Sequence, residues 1–402
     1  MRCPCEYAIV SADLRDSPFA PASIGTCQAM TAIAATAGTP PVRRGEAVAV
    51  TYEPRPGLVG IAIVNWLLNI VTFTLYRFWA KTRVRRHIWS CIRINGEPLE
   101  YTGTGGELFL GALVVFGLLF LPVIALNGVV YLAFGPESPL VAGISGLSSL
   151  IALVLYGMAV YRARRYRLSR TLWRGIRGTM SGSPGRYTLR YFGALLLKVV
   201  TLGWATPAMN LRLENRIVNE TVFGSEPFRF AGSSAPLYRR YAVCWFAMIV
   251  IVFAMLAAAM GGGFSGFFKS LGGPGPGPEV IIRIVVFGIV AALVLGLVYS
   301  IVWAAYTARQ MNTFVGYTTY DAASFCLSAS TLSLIGLYLG NIAIFILTLG
   351  IGQPFVAQRT IRYFIDRLQS EGTVDWTAIR QSSAAMDRRG EGLADAFDVD
   401  IF

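Results

Sequence analysis

Four apolar runs, each long enough to cross a hydrocarbon core, leave this chain little freedom in how it can fold. They cover residues 108–134, 140–161, 241–260 and 284–305, and about 20 residues suffice to span a core of about 30 Å. Lipid offers no water to backbone amides, so such runs must satisfy their own hydrogen bonds as helices. Composition agrees: 54% of residues are apolar and 14% charged, about half the charged share usual in soluble domains. In a soluble protein the net charge of +13 would point to nucleic acid. Here the arginines gather at the edges of apolar runs, where they orient the chain and meet anionic headgroups. The expected partners are therefore membrane lipids with anionic heads on the cytoplasmic side, and not nucleic acid.

Three further apolar segments repeat one another, each followed by an arginine-bearing tail. They read NIVTFTLYRFWAKTRVRR, KVVTLGWATPAMNLRLENR and FILTLGIGQPFVAQRTIRYF. Setting Thr201-Leu202-Gly203 on Thr348-Leu349-Gly350 superposes Pro207 on Pro354 and Arg212 on Arg359. Setting Thr74-Leu75 on Thr201-Leu202 puts Arg85 on Arg212, and a two-residue insertion then brings Glu97-Pro98 and Gly103 onto Glu226-Pro227 and Gly232. The third copy lacks the EP…G ending. The expected fold is all-α: a polytopic helical membrane protein built from quasi-repeats near 58–103, 191–232 and 332–367. Two outward-pointing helical hairpins would be joined by the three shorter repeated segments.

Charge gives the orientation. Residues 161–190 hold nine arginines and no acid, from Arg162 to Arg190, and 77–93 hold Arg77, Lys81, Arg83, Arg85, Arg86 and Arg93. Positive residues stay cytoplasmic, so FGPESP and the Gly/Pro run 261–279 face outward. The shorter segments 58–76, 191–208 and 332–355 then pose a conflict. As ordinary spans they would put the five arginines of 209–240 outside. As re-entrant or interfacial elements they would enter and leave on the cytoplasmic side, with the TLG, ATP and GQP breaks supplying the kinks. The charge pattern favours the second arrangement, while inverted repeats of three spans remain its rival.

Groups able to do chemistry are few. His87 is the only histidine and sits among arginines, and the six cysteines form no CxxC pair or metal spacing. No catalytic, cofactor or metal site is expected, and the chain does not read as an enzyme. TGTGGELF at 102–109 has the look of a phosphate loop. Without a following Lys-Ser/Thr, and with Glu107 where phosphate would dock, it reads as a turn entering a span. Lys198, inside ALLLKVVTLGW, is a candidate intramembrane polar site, since an ammonium at mid-bilayer costs about 2.5–3.5 kcal/mol. Gly336-xxx-Gly340 offers a smooth face for close packing. Arg167, Arg170, Arg174 and Arg177 are candidate lipid-headgroup contacts. Their spacing predicts one stripe of an interfacial helix, with Leu168, Leu172, Ile176 and Met180 on the other side.

The run TLYRFWAKTRVRRHIWSCIRINGEPLEYTGTGGELFLG resembles the signature of the YjgN family of bacterial inner-membrane proteins. The resemblance covers about residues 50–370. It implies a multi-pass protein of the bacterial cytoplasmic membrane and carries no reaction, cofactor or catalytic residue. Outside the membrane domain (46–380), residues 1–45 read as a disordered tail or an overlong gene start, and 381–402 as a disordered acidic tail with Asp387, Glu391, Asp395, Asp398 and Asp400.

Function is less constrained. Repeats often frame a pathway, which favours transport or channel-like passage of a small solute, ion or lipid. The alternative is a lipid-binding or membrane-organising scaffold. The topology is open to test with an impermeant thiol reagent on single-cysteine variants in outer-membrane-permeabilised cells. Cysteines at Ser138 and Ser270 are expected to label, and those at Ser183 and Ser225 to stay protected. Labelling at Ser225 with protection at Ser183 would make 191–208 an ordinary span.

Overall fold

The computed structural model of the chain describes residues 45–135, 138–258 and 278–381. The expected tails, residue 45 and Gln381 apart, and residues 261–277 of the expected outward turn lie outside the described residues. Within them, pairs of helices alternate with pairs of short strands. Helices α1 (Leu58–Val71) and α2 (Arg77–Cys91) form a first, short hairpin. The second hairpin is long, α3 (Gly105–Phe134) with α4 (Pro139–Arg170). The third is short, α5 (Pro184–Val200) with α6 (Thr206–Asn219). The fourth is long, α7 (Ala235–Ala258) with α8 (Pro278–Gly316), and the fifth short, α9 (Thr331–Leu347) with α10 (Gln353–Ile365).

Among the described residues three helices are long and apolar enough to cross a membrane: Gly105–Phe134, Pro139–Arg170 and Ala235–Ala254. At 1.5 Å per residue α4 is about 48 Å long, whereas α1 is about 21 Å. The arms of the short hairpins, of 13 to 17 residues, reach about 20–26 Å, less than a core of about 30 Å.

Each short hairpin bends through the same turn, and its chemistry explains why an apolar helix can reverse there. A threonine hydroxyl (Thr72, Thr201, Thr348) donates to the carbonyl four residues back, at 2.7, 2.6 and 2.6 Å. The same oxygen accepts the amide of Tyr76, Ala205 and Gly352, at 3.0, 3.0 and 2.8 Å. The two residues after each threonine are left-handed: Phe73-Thr74, Leu202-Gly203 and Leu349-Gly350. Their amides close back on the helix as in a Schellman cap, with Gly203 N–H reaching the Lys198 carbonyl. Polar groups that lipid would leave bare are thereby paired.

This shared geometry corrects the register of the first copy. Thr72, not Thr74, is the counterpart of Thr201, and one constant offset then carries Glu97 onto Glu226 and Gly103 onto Gly232 without an insertion. Arg83, not Arg85, falls on Arg212.

The larger correction is that the chain is not all-α, although it is mostly helical. Strands β1 (Glu46–Ala47), β2 (Val50–Tyr52), β3 (Ile92–Ile94), β4 (Glu97–Pro98) and β5 (Glu100–Tyr101) flank the first hairpin. They are followed by β6 (Thr171–Trp173), β7 (Ile176–Met180), β8 (Thr221–Phe223), β9 (Glu226–Phe230), β10 (Thr318–Tyr320) and β11 (Ala323–Leu327), and finally by β12 (Leu368–Glu371) and β13 (Thr373–Val374). All neighbours are antiparallel, in the orders β2-β3-β4, β5-β6-β7-β8-β9-β10-β11-β12 and β13-β1. β1 runs on into β2, β4 into β5 and β12 into β13, so the three ladders close into one ring. Asn95-Gly96 and Arg174-Gly175 turn two of its hairpins with both residues left-handed, the geometry that matches strand twist.

Side chains from around the ring meet in one cluster, including Val48, Ile94, Ile176, Phe223, Phe228, Tyr320 and Val374. Trp173 and Trp376 pack edge to face at 4.5 Å between centroids, and Phe228 lies 4.6 Å from Tyr320. Residues 375–381 cross the cluster: Ile379 is buried, the Arg380 amide donates to Ser225 Oγ, and Gln381 Oε1 accepts the Arg177 amide.

Pairing also decides the path of the short segments. β7 and β8 are adjacent, with Gly178 opposite Phe223, so the chain leaves the sheet into α5 and returns to the same sheet from α6. The same holds for β2 with β3 and for β11 with β12. A unit of three spans with inverted repeats does not fit this connectivity.

Gly224 carries the closing strap. Its φ is +61°, and a Cβ there would run into Ile379 and the Arg380 carbonyl. Gly224→Val is expected to expel the strap, to lower stability by about 2 kcal/mol or more, and to speed tryptic cleavage at Arg380. Unchanged cleavage and melting would show that the strap does not depend on this contact.

Candidate functional site

The predicted headgroup stripe does not exist as a helix face. α4 ends at Arg170, and Arg174 and Arg177 lie in the β6–β7 hairpin. Arg167 is buried and donates to the Ala163 carbonyl of its own helix at 3.3 Å. Arg170 pairs with Glu107 at 2.7 Å, and Tyr166 donates to the other Glu107 oxygen at 2.7 Å. Arg174 pairs with Glu97 at 2.9 Å and lies over the Trp173 ring. The two glycines that interrupt the stripe, Gly175 and Gly178, were the sequence signal for this outcome: Gly175 is left-handed, and Gly178 packs against Leu168.

Glu107 thus ties α3 to α4. Thr104 caps α3 by accepting the Glu107 amide at 3.4 Å, so TGTGGELF is the turn into a span. Lys198 reaches across its own hairpin to Asn210 Oδ1 at 2.7 Å. The smooth face at Gly336 and Gly340 receives the guanidinium of Arg359 from the partner arm α10. Arg359 donates to the carbonyls of Gly336 and Leu337 and to Asn341 Oδ1, and a Cβ on Gly340 would collide with it. His87 Nε2 is buried without a hydrogen-bond partner, and burial, with the nearby charge of Arg55, lowers its pKa.

What the structure brings together is a cleft of about 460 Å³ between the first and fifth hairpins. Its basic wall is one face of α2, where Arg77, Lys81 and Arg85 follow one another at four-residue spacing. The corresponding positions of the third copy, Gln353, Ala357 and Ile361 on α10, form the opposite, uncharged wall. In the second copy these positions are Thr206, Asn210 and Glu214. There Asn210 holds Lys198, and Glu214 pairs with Arg164 at 3.2 Å. The cationic face is thus a property of the first copy.

No aspartate or glutamate lines the cleft among the described residues. From α1, Asn65 and Asn69 face it, and the side-chain oxygen of each is buried with no hydrogen-bond partner. Asn65 is only 5% exposed, and an unpaired buried amide oxygen costs about 1–3 kcal/mol. Gly350 and Ile351 of the fifth hairpin's turn, and Trp66 of α1, complete its lining. The spacing Arg77, Lys81, Arg85 was legible in the sequence, but nothing there indicated that the fifth hairpin would stand opposite it.

A family model described as "Bacterial protein of unknown function (DUF898)" matches residues 55–396. Among relatives, "Inner membrane protein YjgN" of Salmonella typhimurium is 41% identical over 56 residues, 14% of this chain and 14% of that protein. The protein of the same name from Escherichia coli O157:H7 is 27% identical over 140 residues, 35% of this chain and 32% of its own length. The chain thus spans about a third or less of the length of the curated relatives it matches. No solved structure matches. With that family match over most of its length, and with apolar helices able to cross a bilayer, the chain belongs to the DUF898, or YjgN, family and is a protein of the bacterial inner membrane.

Proposed function

We propose that this protein is a multi-pass, lipid-binding protein that holds a membrane lipid in the cleft between its first and fifth hairpins. In this reading the four long helices cross the bilayer. The strand ring and its arginines lie in the cytoplasm, and the three short hairpins dip into the cytoplasmic leaflet.

The observation that carries the reading is that the cleft is lined by residues of the hairpin tips, where large apolar side chains are exposed. The hairpin tips present large apolar residues with little cover: Phe73 is 90% exposed, Leu202 79% and Leu349 87%. Three such residues on turns whose polar groups are already paired suit acyl chains and not water. The cleft reaches this level, since Gly350 and Ile351 of the fifth hairpin's turn line it together with the cations of α2. A lipid entering sideways would lay its chains against the tips and its head against the arginines. Passage of a small solute along the ring axis, the other reading, finds less support, because Trp173, Tyr320 and Trp376 occupy the centre of the ring.

The reading is tested with a bimane fluorophore on cysteines placed at Leu202 and Ile351 in the protein reconstituted into vesicles. Brominated acyl chains are expected to quench both, and aqueous iodide neither. Quenching by iodide and not by the chains would put the hairpins in water and remove the lipid reading.

A further inference from the structure

Resting on that reading, we infer that the cleft selects an anionic phosphodiester whose head also carries hydroxyl donors, a phosphatidylglycerol type of headgroup. Two independent features of the cleft point to the two halves of such a head.

The first is charge. Arg77, Lys81 and Arg85 stand on successive turns of one helix face, and among the described residues no carboxylate lines the space opposite them. Guanidinium and ammonium groups at this spacing match phosphate oxygens. A zwitterionic head would bring its own cation against three others. The chain places an acid, Glu214, at the position matching Arg85 in the second copy, so the fold itself does not demand this charge.

The second is the pair of amide oxygens. Asn65 and Asn69 line the same cleft, and the Oδ1 of each is buried and lacks a hydrogen-bond donor. Asn65 already uses its Nδ2 on the Ala80 carbonyl, at 3.5 Å, which fixes the oxygen as the free end. These oxygens accept hydrogen bonds and cannot serve the phosphate. They call for hydroxyls on the group beyond it. The uncharged wall of Gln353, Ala357 and Ile361, with Gly350 and Ile351 at the hairpin turn, suits chains on the membrane side.

The test uses full-length protein, delipidated in a neutral detergent and titrated with single lipids while bound lipid is counted by native mass spectrometry. Phosphatidylglycerol is expected to bind at least about tenfold more tightly than phosphatidylcholine. It is also expected to bind more tightly than phosphatidylmethanol, which has the phosphodiester without the hydroxyls. Arg77→Gln with Lys81→Gln is expected to erase the preference over phosphatidylcholine, with Lys81→Gln alone as a milder variant should the pair misfold. Asn69→Leu is expected to erase only the preference over phosphatidylmethanol. Arg239→Gln with Arg240→Gln, a basic pair at the foot of α7 outside the cleft, is expected to change neither. Equal binding of phosphatidylglycerol and phosphatidylcholine would overturn the headgroup inference while leaving the lipid reading standing. No bound lipid of any class would overturn the lipid reading itself. Displacement of phosphatidylglycerol by glycerol phosphate or inorganic phosphate at like concentration would make this a site for a soluble anion. An equal loss in the Arg239/Arg240 variant would reduce the effect to general surface charge.

Discussion

Antiparallel pairing around a closed ring of short strands governs the rest of this molecule. Each helical hairpin leaves from one strand and must deliver the chain to that strand's neighbour, as β7 delivers to β8 with Met180 opposite Thr221. The hairpins therefore rise from the ring in a fixed circular order and all on one side. Closure also removes the exposed edges that short strands would otherwise present. Strands of two to five residues are weak alone, but here each has two neighbours once β1–β2, β4–β5 and β12–β13 are taken as continuous strands, and all lie over a shared aromatic core. The seam between β13 and β1 brings the first and fifth hairpins together, and that seam is where the cleft lies.

Within the short hairpins the governing cost is that of leaving backbone polar groups unpaired where apolar helices reverse. The threonine turn meets it locally, with a hydroxyl that donates backward and accepts forward in all three copies. Each pair of arms is then clipped by a different polar contact: Asn65 to the Ala80 carbonyl, Lys198 to Asn210, and Arg359 to the carbonyl face of α9. The donors of Lys198 and Arg359 are engaged by protein, so both side chains serve as hairpin clips. Phe73, Leu202 and Leu349 hold a left-handed backbone that side chains normally avoid. The Schellman-type bonds around them keep that conformation in place.

Divergence among the copies is what distinguishes one seam from another. The same helix face is cationic in α2, polar with one acid in α6, and neutral in α10. Where the acid occurs it is matched by an arginine of α4, as Glu214 is by Arg164. In the first copy the cations and the two orphaned asparagine oxygens face a neutral wall.

The sequence by itself determined what local chemistry and periodicity can determine. Apolar run length defined the long helices, the TLG segments marked recurring turns, and arginine placement argued that the short segments return to the side they left. Asn95-Gly96, flanked by IRI and EP, was a readable hairpin turn, and the β-branched and aromatic residues of TLW and TVF suit strands. Strands of two to five residues are too short to show a clear alternation, and across 167–177 the arginines, spaced three, four and three apart, fit a helical period instead. Only the tertiary structure decided that the short strands join into a ring, because each is stable only through partners far away in the chain. The register of the first copy was settled by Thr72 bonding as Thr201 and Thr348 do. The cleft is the extreme case. Its basic wall is written in residues 77–85, but its opposite wall comes from residues 350–361, and strand pairing between the two ends of the described chain brings them face to face.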